Sequence, residues 1–107
     1  MDRPTLDEIA LLHANVCQAI SEPSRILILY AIGEKPHYVT ELAQELGMPQ
    51  PTVSRHLNLL RRRGMVTSER DGPAVIYRLA DPRIIEVLNS MREILRDALK
   101  RQTSVLG

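Results

Sequence analysis

The chemistry that this sequence suggests most clearly is anion binding, by residues 50–68. This stretch contains four arginines and no acidic residue, although the whole chain has a formal net charge of only +1. The guanidinium group of arginine is a planar fork that binds a phosphate, or the edge of a guanine, through two hydrogen bonds. Because a phosphate backbone meets a local patch and not an average charge, the stretch indicates binding to a nucleic acid.

A second set of reactive side chains comprises one cysteine and three histidines. His13 and Cys17 are four residues apart, so on a helix they share one face. Two copies of the chain could then supply two sulfur and two nitrogen ligands, a set that suits zinc. The alternative, which we favour, is that Cys17 is a small buried hydrophobe beside a partly exposed His13. We therefore predict no resident metal or other cofactor.

Enzymatic groupings are not recognisable in the sequence. It contains no phosphate-binding loop, no Ser-His-Asp grouping and no paired carboxylates in a recognisable setting. Ser54 and His56 do not form a dyad, since residues two apart on a helix point in different directions. We predict that the protein is not an enzyme.

Hydrophobic spacing predicts the elements that position the arginines. A short helix capped by Thr40 and ending at Leu46 is followed by a turn at Gly47 and by a second helix from about residue 50 or 51 to Arg63. Two helices joined in this way, the second with a polar cationic face, are typical of a helix-turn-helix, whose second helix enters the major groove. The residues predicted to face inward from that helix are Val53, Leu57 and Leu60.

A β-hairpin is predicted directly after the second helix. The residues from Met65 to Arg70 and from Ala74 to Leu79 have strand-like composition, and Asp71-Gly72-Pro73 between them reads as a turn. A hairpin in this place is the wing of a winged helix-turn-helix.

Three further helices complete the prediction of one domain over residues 1–107. The first runs from about Thr5 to Ile20, the second covers about residues 22–32 with Ser21 as its N-cap and Gly33 as its stop, and the last begins at Asp81-Pro82. The predicted fold is mainly α with a small β-hairpin, in the order α-α-α-α-β-β-α.

The last helix carries an apolar stripe that a small domain cannot easily cover. Its apolar residues recur at spacings of four and three, which favours packing against a helix of a second copy. We predict a symmetric homodimer in which the first helix also takes part. The predicted interface residues are Leu6, Ile9, Ile84, Leu88, Met91 and Leu95.

Several motifs give the chain a resemblance to a known family. The stretch from Ser21 to Leu29 resembles the second-helix signature of ArsR-type (ArsR/SmtB) bacterial repressors, and residues 39–43 and 46–57 are similar to that family's helix-turn-helix. Residues 59–66 and the wing continue the match. The resemblance implies a homodimeric DNA-binding repressor with an interface built from the first and last helices. Pro49 and Pro73 depart from the usual pattern, and Pro73 stands where a basic wing residue is common.

The family's usual metal ligands are absent from the matching positions. Tyr38 and Thr40 stand where many relatives have a Cys-x-Cys pair, and the last helix contains no histidine. If the protein senses a metal or an oxidant, we expect the response to involve Cys17. The inducer cannot be inferred from the sequence.

The predicted partner is double-stranded DNA, recognised as an inverted repeat. The alternative for the same residues is a solvated helix face, or a winged-helix module that binds protein and no longer binds DNA. The longest apolar run, from Ile26 to Ile32, is too short to cross a bilayer, and we predict a cytoplasmic protein. The predicted DNA contacts are Gln50, Thr52, Ser54, Arg55, His56, Asn58, Arg61, Arg62 and Arg70.

Overall fold

The computed structural model describes residues 2–106, with side chains described as far as residue 103. The predicted winged helix-turn-helix is confirmed, with one short strand more than the sequence indicated. The elements in chain order are α1 (Leu6–Leu12), a π-helical segment (His13–Cys17), α2 (Pro23–Glu34), β1 (His37–Tyr38), α3 (Val39–Leu46), α4 (Gln50–Arg62), β2 (Val66–Asp71), β3 (Ala74–Leu79) and α5 (Arg83–Leu106).

The predicted first helix is interrupted by a π-helical segment. Thr5 caps the start of α1, where its hydroxyl accepts a hydrogen bond of 3.2 Å from the backbone N–H of Glu8. Further along, the N–H of Gln18 donates to the carbonyl of His13, five residues back. This turn therefore holds one residue more than an α-helical turn, and the residues on its two sides face different directions.

Two predicted boundaries of α2 are wrong. Ser21 is not its N-cap: the Ser21 hydroxyl donates to the carbonyl of Gln18 (2.7 Å) and closes the preceding helix, while the carboxylate of Glu22 accepts from the N–H of Ser24. Gly33 does not stop the helix, which continues to Glu34. A Cβ at Gly33 would lie 2.9 Å from a side-chain carbon of Ile85, so glycine here allows α5 to approach α2 closely.

The helix-turn-helix itself lies close to its prediction. The N-cap of α3 is Tyr38 and not Thr40, and the carboxylate of Glu41 accepts a 2.9 Å hydrogen bond from the Tyr38 N–H. Gly47 ends α3 with φ +64°, a left-handed conformation that glycine adopts without strain. Pro49 is the N-cap of α4, and its carbonyl accepts from the N–H groups of Thr52 and Val53.

The three strands form one antiparallel sheet in the order β1-β3-β2. Asp71 pairs with Ala74, which leaves Gly72-Pro73 as a two-residue turn at the wing tip. Gly72 has φ +63°, as the first position of a type II′ hairpin turn requires. Strand β1 contains only His37 and Tyr38, which pair with Tyr77 and Ile76 of β3 and join the wing to the start of α3.

One hydrophobic core connects these elements. It contains Ile28, Leu29, Ala31 and Ile32 of α2, Leu42 of α3, the inward residues of α4, and Leu88 of α5. The inward residues of α4 are those predicted, Val53, Leu57 and Leu60, and each is fully buried. No helix among residues 2–106 is both long and apolar enough to cross a membrane.

Candidate nucleic-acid interface

Helix α4 turns a polar face away from the core. Successive residues of an α-helix are rotated by about 100°, so the positions opposite the buried stripe form a line along the outer surface. On one flank of this line lie Gln50, Ser54 and Arg61, and on the other lie Thr52, His56 and Arg63. The line itself consists of Pro51, Arg55, Asn58 and Arg62, all exposed.

Eight of the nine predicted contact residues therefore share one helix, and the structure divides them by exposure. Thr52, Ser54 and His56 are half-buried on the flanks. Nη2 of Arg55 donates a hydrogen bond to the hydroxyl of Thr52 (3.4 Å), so the guanidinium lies beside the first turn of the helix. The exposed members are Gln50, Arg55, Asn58, Arg61 and Arg62.

Arg25 is a member of this surface that the sequence analysis missed. It lies near the start of α2, yet its side chain lines an open groove of about 600 Å³ together with residues of α4. No sequence pattern indicates this proximity, because Arg25 and the groove are separated by about thirty residues of chain. The α4 residues that line the groove are Arg55, His56, Asn58, Leu59, Arg61 and Arg62.

Arg25 also connects three parts of the structure. Its Nε donates to the carbonyl of Ala19 (2.7 Å) and its Nη2 to the carbonyl of Gln18 (3.0 Å), at the end of the first helical region. Its Nη1 lies 3.4 Å from Nδ1 of His56 on α4. Burial of the ring, and next the charge of Arg25, lower the pKa of His56 from its ordinary value.

The three consecutive arginines are not equivalent. Arg61 and Arg62 are exposed, whereas Arg63 is half-buried. Arg63 donates from Nη2 to the side-chain oxygen of Gln18 (3.2 Å), and its Nε is buried with no hydrogen-bond partner among the described residues. Arg63 therefore faces the protein, and the two preceding arginines are the ones open to a phosphate.

The wing carries both signs of charge. Arg70, the ninth predicted contact, is exposed on β2, and Arg78 lies 3.8 Å from Glu69 across the hairpin. At the tip, the carboxylate of Asp71 accepts a hydrogen bond from the hydroxyl of Tyr38, and this bond raises the pKa of Tyr38. The wing tip is thus attached to the start of α3 by Tyr38, one of the two positions that the family resemblance matches to a Cys-x-Cys pair.

The sensor candidates His13 and Cys17 both lie on the π-helical segment, and both are exposed. The favoured expectation that Cys17 is buried is therefore wrong for the single chain. Within residues 2–106, no group of three or more His, Cys, Asp or Glu side chains could hold a metal ion.

The predicted dimer residues divide into two groups. Leu6, Ile9, Met91 and Leu95 are exposed, as an interface requires. Leu88 is buried in the chain's own core and Ile84 packs against that core, so neither belongs to the open stripe. Spacing along α5 cannot separate the two groups, because the apolar stripe passes from the core onto the open surface without a break. On α1 and α5, the large exposed apolar residues that the prediction did not include are Leu11, Leu12, Val87, Ile94 and Leu99.

The chain matches known proteins over almost its full length. Residues 22–68 match the family model described as "Bacterial regulatory protein, arsR family". The chain is 38% identical over 97 residues to the HTH-type transcriptional repressor SmtB of Mycobacterium tuberculosis. The aligned region covers 90% of this chain and 72% of the relative. The chain belongs to the ArsR family. It is therefore a winged helix-turn-helix, DNA-binding transcriptional regulator, as the resemblance implied.

Solved structures agree with this membership. The crystal structure of M. tuberculosis Rv0081 superposes with a TM-score of 0.79 at 33% identity, covering 95% of this chain and 99% of that one. The solution structure of a homodimeric winged helix-turn-helix DNA-binding domain, Mb0332 from Mycobacterium bovis, gives a TM-score of 0.76 at 25% identity, with coverages of 94% and 95%. These relatives share the whole architecture and not only the helix-turn-helix.

Proposed function

We propose that the protein is a homodimeric transcriptional repressor that binds an inverted-repeat operator through α4. The observation that carries this proposal is the outer face of α4, where cationic and amide side chains stand opposite a fully buried apolar stripe. Arginine can bind guanine or phosphate and glutamine can bind adenine, so this face suits base edges in a major groove. The name of the M. tuberculosis relative supports the repressor assignment.

The shape of the single chain supports a dimer. Its radius of gyration is 16.4 Å, whereas a compact monomer of this length would have about 13 Å. The chain is thus more extended than a compact monomer, and it exposes nine large apolar side chains on α1 and α5. Exposed apolar surface on this scale marks an interaction site in a soluble protein. A second copy is the simplest partner, and the homodimeric relative has this same fold.

A protein-binding module without DNA binding is the second candidate. Such a module would present apolar residues where α4 presents arginines. On α4, which is fully described, the exposed residues are polar or charged apart from Pro51. The composition of this face therefore favours DNA.

Footprinting on the DNA upstream of the protein's own gene tests the proposal. A two-fold dimer places its two recognition helices in successive major grooves, about 34 Å apart. We expect two equivalent protected half-sites, and operator affinity that falls steeply with salt. A single asymmetric protected site, or binding without any preference over random DNA, would contradict the proposal.

A further inference from the structure

Arg25 occupies an unusual place, because it contacts the recognition helix without belonging to it. Its guanidinium donates hydrogen bonds to two backbone carbonyls at the end of the first helical region, and it also contacts the ring of His56. The carbonyls of Gln18 and Ala19 lie at a helix end, where the last carbonyls have no partner within the helix. Arg25 donates to both of them, and the carbonyl of Gln18 also accepts from the hydroxyl and the backbone N–H of Ser21. Two hydrogen bonds to the backbone therefore hold Arg25 in the position where it meets His56.

The contact between Arg25 and His56 determines which ring nitrogen carries the proton. Arginine has five N–H donors and no acceptor. Because Nη1 of Arg25 lies 3.4 Å from Nδ1 of His56, Nδ1 must accept, and the ring proton must be on Nε2. A doubly protonated ring cannot form this bond.

We propose that Arg25 is a positioning residue of the recognition surface, which holds His56 as a neutral ring with Nε2–H as its only donor. This inference rests on the proposed function, since it assigns a state to a predicted DNA contact. A ring held by one nitrogen offers one donor in a fixed direction to a phosphate or a base. Its contribution to binding then depends less on pH, in the range where free histidine titrates, than that of a ring without this hydrogen bond.

The surroundings of His56 agree with a neutral ring. Of the charged groups that act on it, Arg25 from α2 and Arg55 from α4 oppose a positive charge, and Glu22 at the start of α2 favours one. Burial of the ring acts in the same direction as the two arginines, and the combined result is a lowered pKa. Removal of Arg25 would take away one opposing charge and the hydrogen bond to Nδ1, so the pKa of His56 would rise.

The first test is the nitrogen NMR spectrum of the free protein. We expect the His56 signals of the wild type to show a protonated Nε2 and an unprotonated Nδ1 near neutral pH. In Arg25→Gln the two tautomers should mix, and the ring should become doubly protonated at a higher pH than in the wild type. Arg25→Lys keeps the charge and should shift the titration less. A wild-type spectrum with a protonated Nδ1 would overturn the inference without involving DNA.

The second test is the pH dependence of operator binding. Between about pH 8 and about pH 6, the affinity of Arg25→Gln should rise about threefold to tenfold more than that of the wild type, as His56 gains a charge. The double variant Arg25→Gln with His56→Gln removes the titrating ring and should lose this extra rise. Equal pH profiles of the wild type and Arg25→Gln would overturn the inference.

The two tests separate this inference from the function on which it rests. Absence of operator binding by the wild type at every pH would refute the proposed function, and the NMR spectrum would still decide the state of His56. Thermal unfolding of each variant shows whether it is folded. If Arg25→Gln does not fold, the wild-type spectrum and the Arg25→Lys titration remain decisive.

Discussion

The helix-turn-helix and the two terminal helices of this chain differ in how completely one chain determines them. In α3 and α4 the chain itself covers the apolar side chains wholly or partly, and Leu42, Val53, Leu57 and Leu60 are fully inaccessible to solvent. In α1 and in most of α5 the apolar side chains are exposed. The comparison indicates that the DNA-reading part is complete in one protomer, whereas the terminal helices need a second copy.

The strongest test of this difference is to place charge on the open stripe of α5. Complete burial of an exposed apolar side chain contributes about 1.5–3 kcal/mol. Because Met91 and Leu95 are about half exposed on the single chain, a dimer gains about half of this from each. Met91→Glu combined with Leu95→Glu removes both contributions and places charge in the interface, so this variant should yield monomers in sedimentation experiments. Operator affinity should fall with dimerisation, because a single half-site is held weakly.

A suitable control for the dimer variant is Arg96→Glu. It changes the net charge by the same two units but lies on the exposed polar face of α5. We expect this variant to remain dimeric. A double variant that still sediments as a dimer would mean that the terminal helices do not form the interface. Leu88 is not a suitable target, since its burial means that a charge there would unfold the monomer.

A second test compares the arginines of α4, which belongs to the helix-turn-helix that one protomer completes. Arg55→Ala should weaken operator binding by about 1–3 kcal/mol per half-site and relax the preference at one base pair, if the arginine reads a guanine. Arg62→Ala should weaken binding to all sequences alike and flatten the salt dependence, as the loss of a phosphate contact does. Binding isotherms at several salt concentrations distinguish these outcomes.

Arg63 is the internal control for this series. Because its guanidinium is bonded to Gln18 and partly buried, Arg63→Ala should leave the salt slope unchanged. If Arg63→Ala flattens the slope as much as Arg62→Ala does, the division of the three arginines into two exposed and one inward-facing is incorrect.

A third test concerns the stability of the helix-turn-helix, which one chain completes. His37 is almost fully buried; its Nδ1 donates to the carbonyl of Lys35 (2.7 Å), and its Nε2 lies 2.8 Å from the carboxylate of Glu45 on α3. Removal of a buried hydrogen-bonding group costs about 1–3 kcal/mol. His37→Gln should lower the free energy of unfolding by this amount in a denaturant titration, whereas Gln44→Ala on the exposed face of α3 should change it little.

The smallest expected effect concerns sensing through the terminal helices. The positions that the family resemblance matches to a Cys-x-Cys pair carry Tyr38 and Thr40, and α5 has no histidine. We expect zinc, arsenite and a mild oxidant to leave the operator complex intact, both in the wild type and in Cys17→Ser. Release of the wild type alone would instead assign a sensing role to Cys17, which is exposed on the single chain. Fluorescence anisotropy of a labelled operator measures the response.

Sequence reasoning succeeded where structure depends on neighbouring residues. The turn at Gly47 and the inward residues of α4 follow from local spacing and were predicted correctly. The extension of α2 past Gly33 was missed, because the reason for that glycine is contact with Ile85, far along the chain. Strand β1 was missed because two residues carry no periodicity.

The candidate site follows the same rule. The polar face of α4 could be read from the sequence, and its exposed arginines lie where they were predicted. The role of Arg25 could not be read, since it depends on packing between α2 and α4. The sequence also could not show that Leu88 is buried and Met91 exposed, because both are apolar at consecutive positions of one stripe. Only packing shows that the chain buries the first and leaves the second open.

The π-helical segment has a geometric consequence for the first helical region. One additional residue in a turn rotates the residues before it by about 100° relative to the residues after it. Val16 and Ile20, in and just after the segment, pack against the chain's own core, while Leu6 and Ile9 before it are exposed. The extra residue therefore lets one continuous helical rod present two apolar faces in different directions, one toward its own chain and one toward a neighbour.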